Sequence, residues 1–404
     1  MAGSTIDHLV SVTVFLGAIL LFISLFNQTI QTAIIYQHHR TLATKCSDLL
    51  DNMLLNPGDW SGSIPTSFGL QDPEFKQYRL SPFSLMRLLS SAGDRVYYEK
   101  TGKWYSNVSW GIGGSYLLLQ ESECIDYWTA SKLLGVNGTY GFQLTVSPTL
   151  TINIREIGLN PLTLETQVLG PGLPLSNATL NYLMFWVNDP KGGECIKGNA
   201  TTNSLGLASL NFPGISVDNN QTAYTFIVKA YLGGLYGVGY LSREIITKAG
   251  NIIPFIESYE NGTILLAHKW GKNDPGEECQ GALQFNATFY ILPENFAPIK
   301  VDILNKTELV NYGQGKPYYA VQIPLEARND PGFLVVSYWR GNEYGMVVMP
   351  WGIGTIGISV VFGDNPSGKE WVATDMRQVV VGDISYQATL ALWSLKGYRV
   401  VEYK

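Results

Sequence analysis

The chain has 404 residues, of which 46% are hydrophobic and only 15% are charged, and its formal net charge is −6. This length predicts about two to four domains, each with a sizeable core. No basic patch or stripe occurs, so the composition argues against a nucleic-acid partner. The 42 glycines, 23 tyrosines and 10 tryptophans are typical of a turn-rich β protein.

The first predicted element is an apolar segment from Leu9 to Phe26 that carries no charge. Its length reaches the lower limit for a helix that spans the hydrocarbon core of a membrane. No Ala-x-Ala cleavage site follows it, so we expect an anchor in membrane lipid rather than a removed signal peptide. A buried core helix is the alternative interpretation.

We expect this helix to continue beyond the membrane, because no proline occurs between Ile6 and Leu55. Past the membrane, apolar residues recur at steps of three and four, which predicts one buried face of an amphipathic helix. These residues are Leu42, Cys46, Leu49, Leu50, Met53 and Leu54. Asn56-Pro57-Gly58 then provides a stop signal. The predicted helix has about fifty residues and is ~75 Å long.

This helix resembles the first helix of type IV pilin-like proteins. The segment from Leu54 to Trp60, with its Leu-Leu, Pro-Gly and Trp, is similar to the segment that follows the helix in archaeal members. The resemblance continues through Phe68-Gly69-Leu70, the stretch from Tyr78 to Pro82, the leucines of 85–89 and an alternating strand at 140–146. It covers roughly residues 1–150.

The resemblance implies that residues 9–26 anchor the chain while residues 41–55 pack beneath a globular head. Leu49 and Leu54 are then expected to be buried, and Asp48 and Asp51 to face water. It also implies an assembly role for Asp7, the acid at mature position five if cleavage follows Ala2. Pilin leaders place Lys or Arg before the cleavage point, whereas none precedes it here. The missing basic residue has two interpretations: the start codon lies upstream of Met1, or this protein is a relative of the pilins that is not cleaved.

Two signals conflict over the orientation in the membrane. Arg40 and Lys45 follow the span and no basic residue precedes it, which by the positive-inside rule favours a cytoplasmic C-terminal part. Nine Asn-x-Ser/Thr sequons favour the outside, since roughly three to four are expected by chance. Long domains also translocate largely regardless of charge. We therefore predict a single-pass membrane protein whose C-terminal domains are extracellular.

Eight of the nine sequons lie in turn-rich ectodomain sequence and are predicted glycosylation sites: Asn107, Asn137, Asn177, Asn199, Asn220, Asn261, Asn286 and Asn305. Asn27, the ninth, lies at the membrane edge of a continuous helix, too close to the bilayer for a transferase. Four cysteines, Cys46, Cys124, Cys195 and Cys279, permit two disulfides in three pairings. We favour Cys46–Cys124 and Cys195–Cys279, because each pair stays within neighbouring domains; unpaired structural cysteines are the alternative.

From Gln143 onward, apolar residues alternate with polar ones in short segments separated by turns, which predicts strands. Residues 172–180 and 201–210 resemble bacterial and archaeal immunoglobulin-like surface repeats. The predicted fold is therefore α+β and mostly β. Residues 1–56 form the transmembrane and amphipathic helix, 57–150 a small α+β head, 151–246 an immunoglobulin-like β-sandwich and 247–404 a C-terminal β domain.

No constellation of residues predicts catalysis, and no cofactor or metal is expected. The four histidines, His8, His38, His39 and His268, lie apart from any nucleophile motif. Glu277-Glu278 is typical of a solvated turn. Four turns, at 188–190, 273–275, 329–331 and 364–366, combine Asn, Asp and Pro; tight turns explain them better than calcium sites, because one Asp per loop is a thin ligand set.

Several aromatic residues cluster in the head: Trp104, Tyr105, Trp110, Tyr116, Tyr127 and Trp128. They fit core packing, with a sugar-binding face as the alternative. The predicted function is a non-enzymatic surface protein, a pilin-like subunit or accessory component of an archaeal filament or cell envelope. Its expected partners are membrane lipid, other copies or pilin-like subunits, and cell-surface glycans. The alternatives are a membrane-tethered hydrolase or carbohydrate-binding protein, and an accessory receptor of a secretion or filament machine.

Overall fold

The computed structural model describes residues 2–61, 64–74, 76–90, 94–98, 103–109, 116–189, 192–217, 222–243, 252–258, 261–268, 284–292, 296–306, 318–340, 343–352 and 357–395. These residues form strands for the most part, together with one long N-terminal helix. The predicted α+β, mostly β class is therefore confirmed.

Helix α1 (Ala2–Leu54) has two parts with different surroundings. Its apolar part, which includes Leu9–Phe26, is exposed on all sides. Helix α1 is long and apolar enough to cross a membrane, and it is the single helix among the described residues that meets both conditions. This finding is in keeping with the predicted single-pass anchor. From Leu42 onward one face is buried, and all six predicted positions are at most 3% exposed.

Helix α1 ends where the head begins. The hairpin β1 (Asp59–Ser61) and β2 (Ile64–Ser67) follows it, and two short helices pack nearby, α2 (Pro82–Ser90) and α3 (Tyr127–Leu133). The head sheet has the strand order β23-β7-β25-β24-β3. Its strands are β3 (Arg79–Leu80), β7 (Tyr140–Pro148), β23 (Val360–Gly363), β24 (Val372–Val381) and β25 (Ile384–Ser394). The buried face of α1 packs against β24 and β25.

A second sheet has seven strands in the order β19-β20-β16-β15-β6-β5-β4. Its strands are β4 (Asp94–Tyr98), β5 (Lys103–Ser109), β6 (Tyr116–Gln120), β15 (Ile252–Ser258), β16 (Thr263–His268), β19 (Asp302–Lys306) and β20 (Tyr318–Gln322). A third sheet, in the order β18-β17-β21-β22, comprises β17 (Gln284–Ile291), β18 (Ala297–Lys300), β21 (Gly332–Arg340) and β22 (Glu343–Trp351).

The predicted boundary between a head at 57–150 and a separate C-terminal domain at 247–404 is wrong. Strand β7 lies between β23 and β25, and β6 pairs in parallel with β15, so both larger sheets combine strands from the two segments. The alternation of apolar residues shows that each strand is half-buried but not which strand it pairs with. The two segments therefore share one apolar core.

The region predicted to be a β-sandwich does form two facing sheets around a core of its own. One sheet has the order β12-β9-β8 and the other β11-β10-β13-β14. The strands are β8 (Thr151–Leu159), β9 (Leu162–Leu169), β10 (Thr179–Asp189), β11 (Gly192–Thr201), β12 (Leu207–Phe212), β13 (Ala223–Leu232) and β14 (Leu235–Arg243). Tyr224, Phe226 and Trp186 are among the large buried side chains between the sheets.

Polar contacts join the sandwich to one end of the head sheet. The ammonium of Lys229, in β13, lies 3.2 Å from a carboxylate oxygen of Asp383 in the β24–β25 turn. The backbone N–H of Tyr236 donates to the Ser385 hydroxyl at 3.2 Å. The Lys229 side chain is only 6% exposed, so this carboxylate offsets part of the cost of burying its charge.

The two leucines near the end of α1 provide a matched test of this packing. Leu50 is fully buried against the head, whereas Leu55 is 39% exposed. We expect Leu50→Ala to lower the free energy of unfolding of the head by about 2–5 kcal/mol, because it leaves a cavity. Leu55→Ala should stay within about 0.5 kcal/mol.

Chemical denaturation of the full chain in detergent micelles, followed by near-UV circular dichroism, measures both changes. Equal unfolding midpoints for the two variants would contradict the packing of α1 beneath the head and leave a plain tether.

Candidate functional site

The junction between α1 and the head is the best-defined polar and apolar arrangement in the described part of the chain. Three-residue and four-residue spacing places Leu42, Cys46, Leu49 and Met53 on one helical face, all buried. This face meets the side of the head sheet that carries Leu390 and other buried side chains. The predicted burial of Leu49 and Leu54 is confirmed.

The end of α1 is closed by the sequence that resembled pilin-like proteins. The last carbonyl groups of a helix lack partners within it. Here the Leu70 N–H donates to the Met53 carbonyl at 2.8 Å, and the Gln71 N–H donates to the Asn56 carbonyl at 3.0 Å. Gly69 permits this approach, since a Cβ at this position would clash with the Asn56 carbonyl oxygen.

The chain reverses direction at the same point through an Asx turn. The Asn56 side-chain oxygen accepts from the Gly58 N–H at 2.9 Å, and Gly58 has a positive φ of 71°. The segment then returns to the head sheet, where the Ser81 N–H donates to the Leu70 carbonyl and β3 pairs with β24. Pro57 and Gly58 therefore do more than stop the helix, because the turn brings the capping segment back onto it.

Arg377 of β24 forms the polar part of the junction. Its Nε and Nη2 atoms lie 3.0 and 3.1 Å from the two carboxylate oxygens of Asp51, a bidentate pair. Nη2 also donates to the Ser47 hydroxyl at 3.0 Å, and Nη1 lies 2.9 Å from the Asp375 carboxylate. Asp51 is half-buried by this contact, so the prediction that it faces water is wrong, whereas Asp48 is exposed as predicted.

These contacts shift the ionisation of the cluster. Hydrogen bonding to Asp51 is the largest cause that raises the pKa of Arg377. Burial raises the pKa of Asp375, but hydrogen bonds from Ser47, the Met376 N–H and Arg377 outweigh it and hold that pKa below its usual value. This carboxylate therefore adds stability above its unfolded pKa, and the contribution is lost as pH falls through the folded pKa.

The cysteines do not follow the favoured pairing. Cys46 is a free thiol at the centre of the junction, and its sulfur lies 3.4 Å from the Leu390 carbonyl oxygen and 3.6 Å from that of Ala373. Cys124 instead faces the Gln120 carbonyl in the head, so no Cys46–Cys124 disulfide is formed. Cys46 belongs to the apolar face of α1, and burial raises the pKa of its thiol to about 11.

The second favoured disulfide involves a residue outside the described part, since Cys279 lies there. Its predicted partner Cys195 is a free thiol on β11, in an exposed position. Although the residue as a whole is exposed, its sulfur lies against the Tyr290 hydroxyl, and partial burial of the sulfur there raises the pKa of this thiol. Burial likewise raises the pKa of Tyr290 to about 12.

The sequons with described side chains are all exposed, which is what attachment of a glycan requires. This set comprises Asn27, Asn137, Asn177, Asn199, Asn261 and Asn286. Asn137, Asn177 and Asn261 lie in turns, whereas Asn199 and Asn286 lie on strands. The side chains of Asn107 and Asn305 and the whole of Asn220 lie outside the described residues.

The aromatic residues of the head do not share one face. Tyr105 is buried, and the ring centroids of Tyr127 and Phe142 are 5.0 Å apart, as the core-packing interpretation expects. Trp128 is exposed, with the Lys132 ammonium 3.2 Å from its ring centroid, and Trp104 is exposed on β5. Trp110 and the side chain of Tyr116 lie outside the described residues.

The remaining candidates do not assemble a reaction centre among the described residues. No group of three or more His, Cys, Asp or Glu lies together there in a way that would hold a metal ion. His39 packs edge-on against Trp371 at 4.2 Å, and the pKa of His38 is lowered by burial and by His39. Glu277-Glu278 and the side chain of His268 lie outside the described residues.

The turns and Asp7 complete the set of predicted sites. The Asn365 side chain accepts from the Ser367 N–H at 2.9 Å, which makes the 364–366 segment an Asx turn. The turn at 273–275 lies outside the described residues. Asp7 is exposed in the first turns of α1, beyond the packed half of the helix.

Comparison with protein-family models and with curated proteins found no match.

The Asp51–Arg377 pair can be tested by a double-mutant cycle. Both side chains are partly exposed, so we expect a coupling free energy of only about 1 kcal/mol between Asp51→Ala and Arg377→Ala. The coupling should fall in 1 M salt, because screening weakens partly exposed pairs. Asp48→Ala with Arg377→Ala is the control, and a coupling as large for Asp48 would contradict the pairing.

The thiols predict a contrast in alkylation rate. In the folded chain the Cys46 peptide should react with iodoacetamide at least tenfold more slowly than the Cys195 peptide, because Cys46 is fully buried. In denatured, unreduced protein both should react fully, as measured by isotope-coded mass spectrometry. A Cys46 peptide that becomes reactive only after reduction would contradict the free thiol.

Proposed function

We propose that this chain is a membrane-anchored extracellular surface protein with a structural or adhesive role, built like an archaeal pilin-like subunit that carries additional β domains. The observation that carries the proposal is the division of α1. Its apolar half projects without a partner in the described part of the chain, whereas its second half forms the core of a head. An enzyme with a simple tether does not need that second half.

The junction supports a rigid link between anchor and head. A helix that ran into a flexible linker would transmit no orientation to the domain behind it. In this chain the helix end is capped by residues 70–71, and Arg377 fixes Asp51 from the neighbouring sheet. The head is therefore held at a defined rotation on α1, as a subunit of an ordered surface array requires.

The sandwich supports an immunoglobulin-like module. Its first, second and fifth strands form one sheet, and its third, fourth, sixth and seventh strands form the other. Immunoglobulin-like sandwiches divide their strands in a closely related way, with A, B and E opposite C, F and G. Such modules serve many cell-surface proteins, so the fold favours an adhesive or spacer role without specifying a ligand.

Exposure of the sequons supports the extracellular orientation against the positive charges at Arg40 and Lys45. In the native host, we expect glycopeptides at Asn137, Asn177 and Asn261, the sequons in exposed turns. Asn203, an exposed asparagine outside any sequon, is the internal control.

Mass spectrometry of the membrane fraction measures this occupancy, and electron microscopy of sheared surface material, with antibody against the head, identifies the assembly. A chain with no glycopeptide and no surface label would contradict the extracellular proposal. Label that remains evenly on the membrane after shearing would favour an envelope component over a filament subunit.

A further inference from the structure

The uncharged part of α1 is longer than the apolar segment at 9–26. No acidic residue, basic residue or histidine occurs between His8 and His38. This stretch, residues 9–37, has a length of ~43 Å at 1.5 Å per residue. A bilayer with both headgroup layers is about 40–45 Å thick. The stretch therefore matches the whole membrane and not only its hydrocarbon core.

The side chains that follow Phe26 include several that suit lipid. Ile30, Ile34 and Ile35 are exposed in the structure and would face water if the membrane ended at Phe26. The hydroxyls of two nearby threonines already have partners in the helix, since each donates to the carbonyl four residues earlier at 2.9 Å. These hydroxyls need no partner from the surroundings, so they can lie in the outer leaflet.

Three amide side chains are the polar exceptions in this part of α1. Asn27 and Gln31 are four residues apart, and Gln28 and Gln31 are three apart. Residues at these spacings are neighbours on the surface of a helix, so the amides can hydrogen-bond to one another in lipid. None of the three carries a charge, which is the most costly group to place in a membrane.

The head begins at the level on α1 where the uncharged stretch ends. The ring of His39 lies 4.2 Å from the ring of Trp371, the residue before β24. Further along both elements, Asp51 binds Arg377. From the first contact to the second, α1 rises by ~18 Å and β24 by ~20 Å. The two elements therefore run side by side in the same direction, and the β23–β24 turn is the end of the head sheet nearest to the anchor.

We propose that this end of the head sits directly on the bilayer, with Trp371 and Tyr36 in the headgroup layer. The proposal rests on the membrane attachment proposed above. His39 is only ~3 Å beyond Gln37 along the helix axis, so no spacer separates the head from the membrane. Trp371 is 41% exposed and Tyr36 is 70% exposed. Tryptophan and tyrosine are enriched at this depth, because their rings are apolar with one polar group. A single exposed tryptophan is ordinary on a protein surface; the level of Trp371 on α1 is what assigns it to the membrane.

Charged side chains at the same level suit the headgroups of zwitterionic lipids. Arg40 follows His39 and is exposed, and Lys369 is exposed in the β23–β24 turn. Guanidinium and ammonium groups donate to phosphate oxygens. Glu370 is exposed in the same turn and offsets part of this positive charge. The aromatic rings therefore carry the contact, and we expect it with phosphatidylcholine without a requirement for anionic lipid.

A second copy of the chain is a less favourable occupant of this end. The gap that α1 leaves between Trp371 and the headgroups is a few Å, whereas even a single helix is about 10 Å wide. The seat also sets the height of the sandwich, which contacts the far end of the sheet through Lys229 and Asp383. Strand β24 has ten residues, so this contact lies ~30 Å above the bilayer.

Tryptophan fluorescence of the full chain in phosphatidylcholine nanodiscs, with one chain per disc, tests the proposal. Discs with and without lipid that carries a nitroxide on its headgroup are compared, because the nitroxide quenches indoles in the headgroup layer. Trp371→Phe should lose part of this quenching. Leu173→Trp is the control, since Leu173 is 68% exposed in a loop of the sandwich, and the indole that it adds should not be quenched.

A second variant keeps Trp371 and moves it away from the membrane. Insertion of seven alanine-rich residues after Gln37 lengthens α1 by ~10 Å and turns the head by only about 20°. The quenching of Trp371 should be lost, as it is in Trp371→Phe. Circular dichroism checks that the head of each variant is folded.

Quenching that is unchanged by Trp371→Phe would overturn the seat. Quenching of Trp371 that survives the insertion would also overturn it, because the head would then reach lipid without being placed there by α1. A chain that does not enter nanodiscs would overturn the anchor and the seat together, whereas a chain that enters them without quenching at Trp371 would overturn only the seat. None of these readouts depends on which side of the membrane the head occupies, so they stand apart from the glycopeptide test.

Discussion

The packing of the second half of α1 on the head sheet is the contact on which the rest of the structure depends. Cys46 lies beside Leu390, so residues 344 positions apart in sequence meet at its centre. The sheet beneath the helix takes β7 from the first half of the chain and β23, β24 and β25 from its end. The apolar face of α1 therefore cannot be buried until the last strands are made, which makes the head a high contact-order unit.

The polar edge of this contact gives the helix a fixed rotation. Apolar packing alone tolerates small rotations of a helix, because leucine side chains can repack at modest cost. The bidentate contact between Asp51 and Arg377 is less tolerant, since the planar guanidinium must meet both carboxylate oxygens. Both groups retain partial exposure, which limits the desolvation cost of the pair. Its main effect is on orientation rather than on stability.

Local sequence patterns predicted the secondary-structure elements well, but they predicted poorly which elements and side chains contact each other. The buried positions of α1 were predictable, because a helical period places Leu42 through Leu54 on one face whatever covers it. The contact of Asp51 was not predictable, because Arg377 is 326 residues away and a lone aspartate on a helix surface is ordinarily solvated.

The predicted domain boundary was wrong for the same reason that the contact of Asp51 was not predicted: both depend on residues far away in the sequence. A strand pattern reports a half-buried strand, whereas the neighbour of β7 is decided by the whole chain. The cysteine pairing also used sequence proximity, although Cys46 lies on the apolar face that the helical period had already assigned to the core. A buried cysteine on such a face acts as a small apolar side chain.

The order of strands also explains how extra modules attach to the head. Residues 149–359, which include the sandwich, lie between β7 and β23, and these two strands are neighbours in the head sheet. The inserted part is thus held at both ends by adjacent strands, and the pairing of β15 with β6 and the contact between Lys229 and Asp383 hold it further. For a structural or adhesive protein that links a membrane to its surroundings, as proposed here, two covalent attachments are an advantage over one. Local opening of a single connection leaves the insertion fixed through the other, so the module keeps its position on the helix that anchors it.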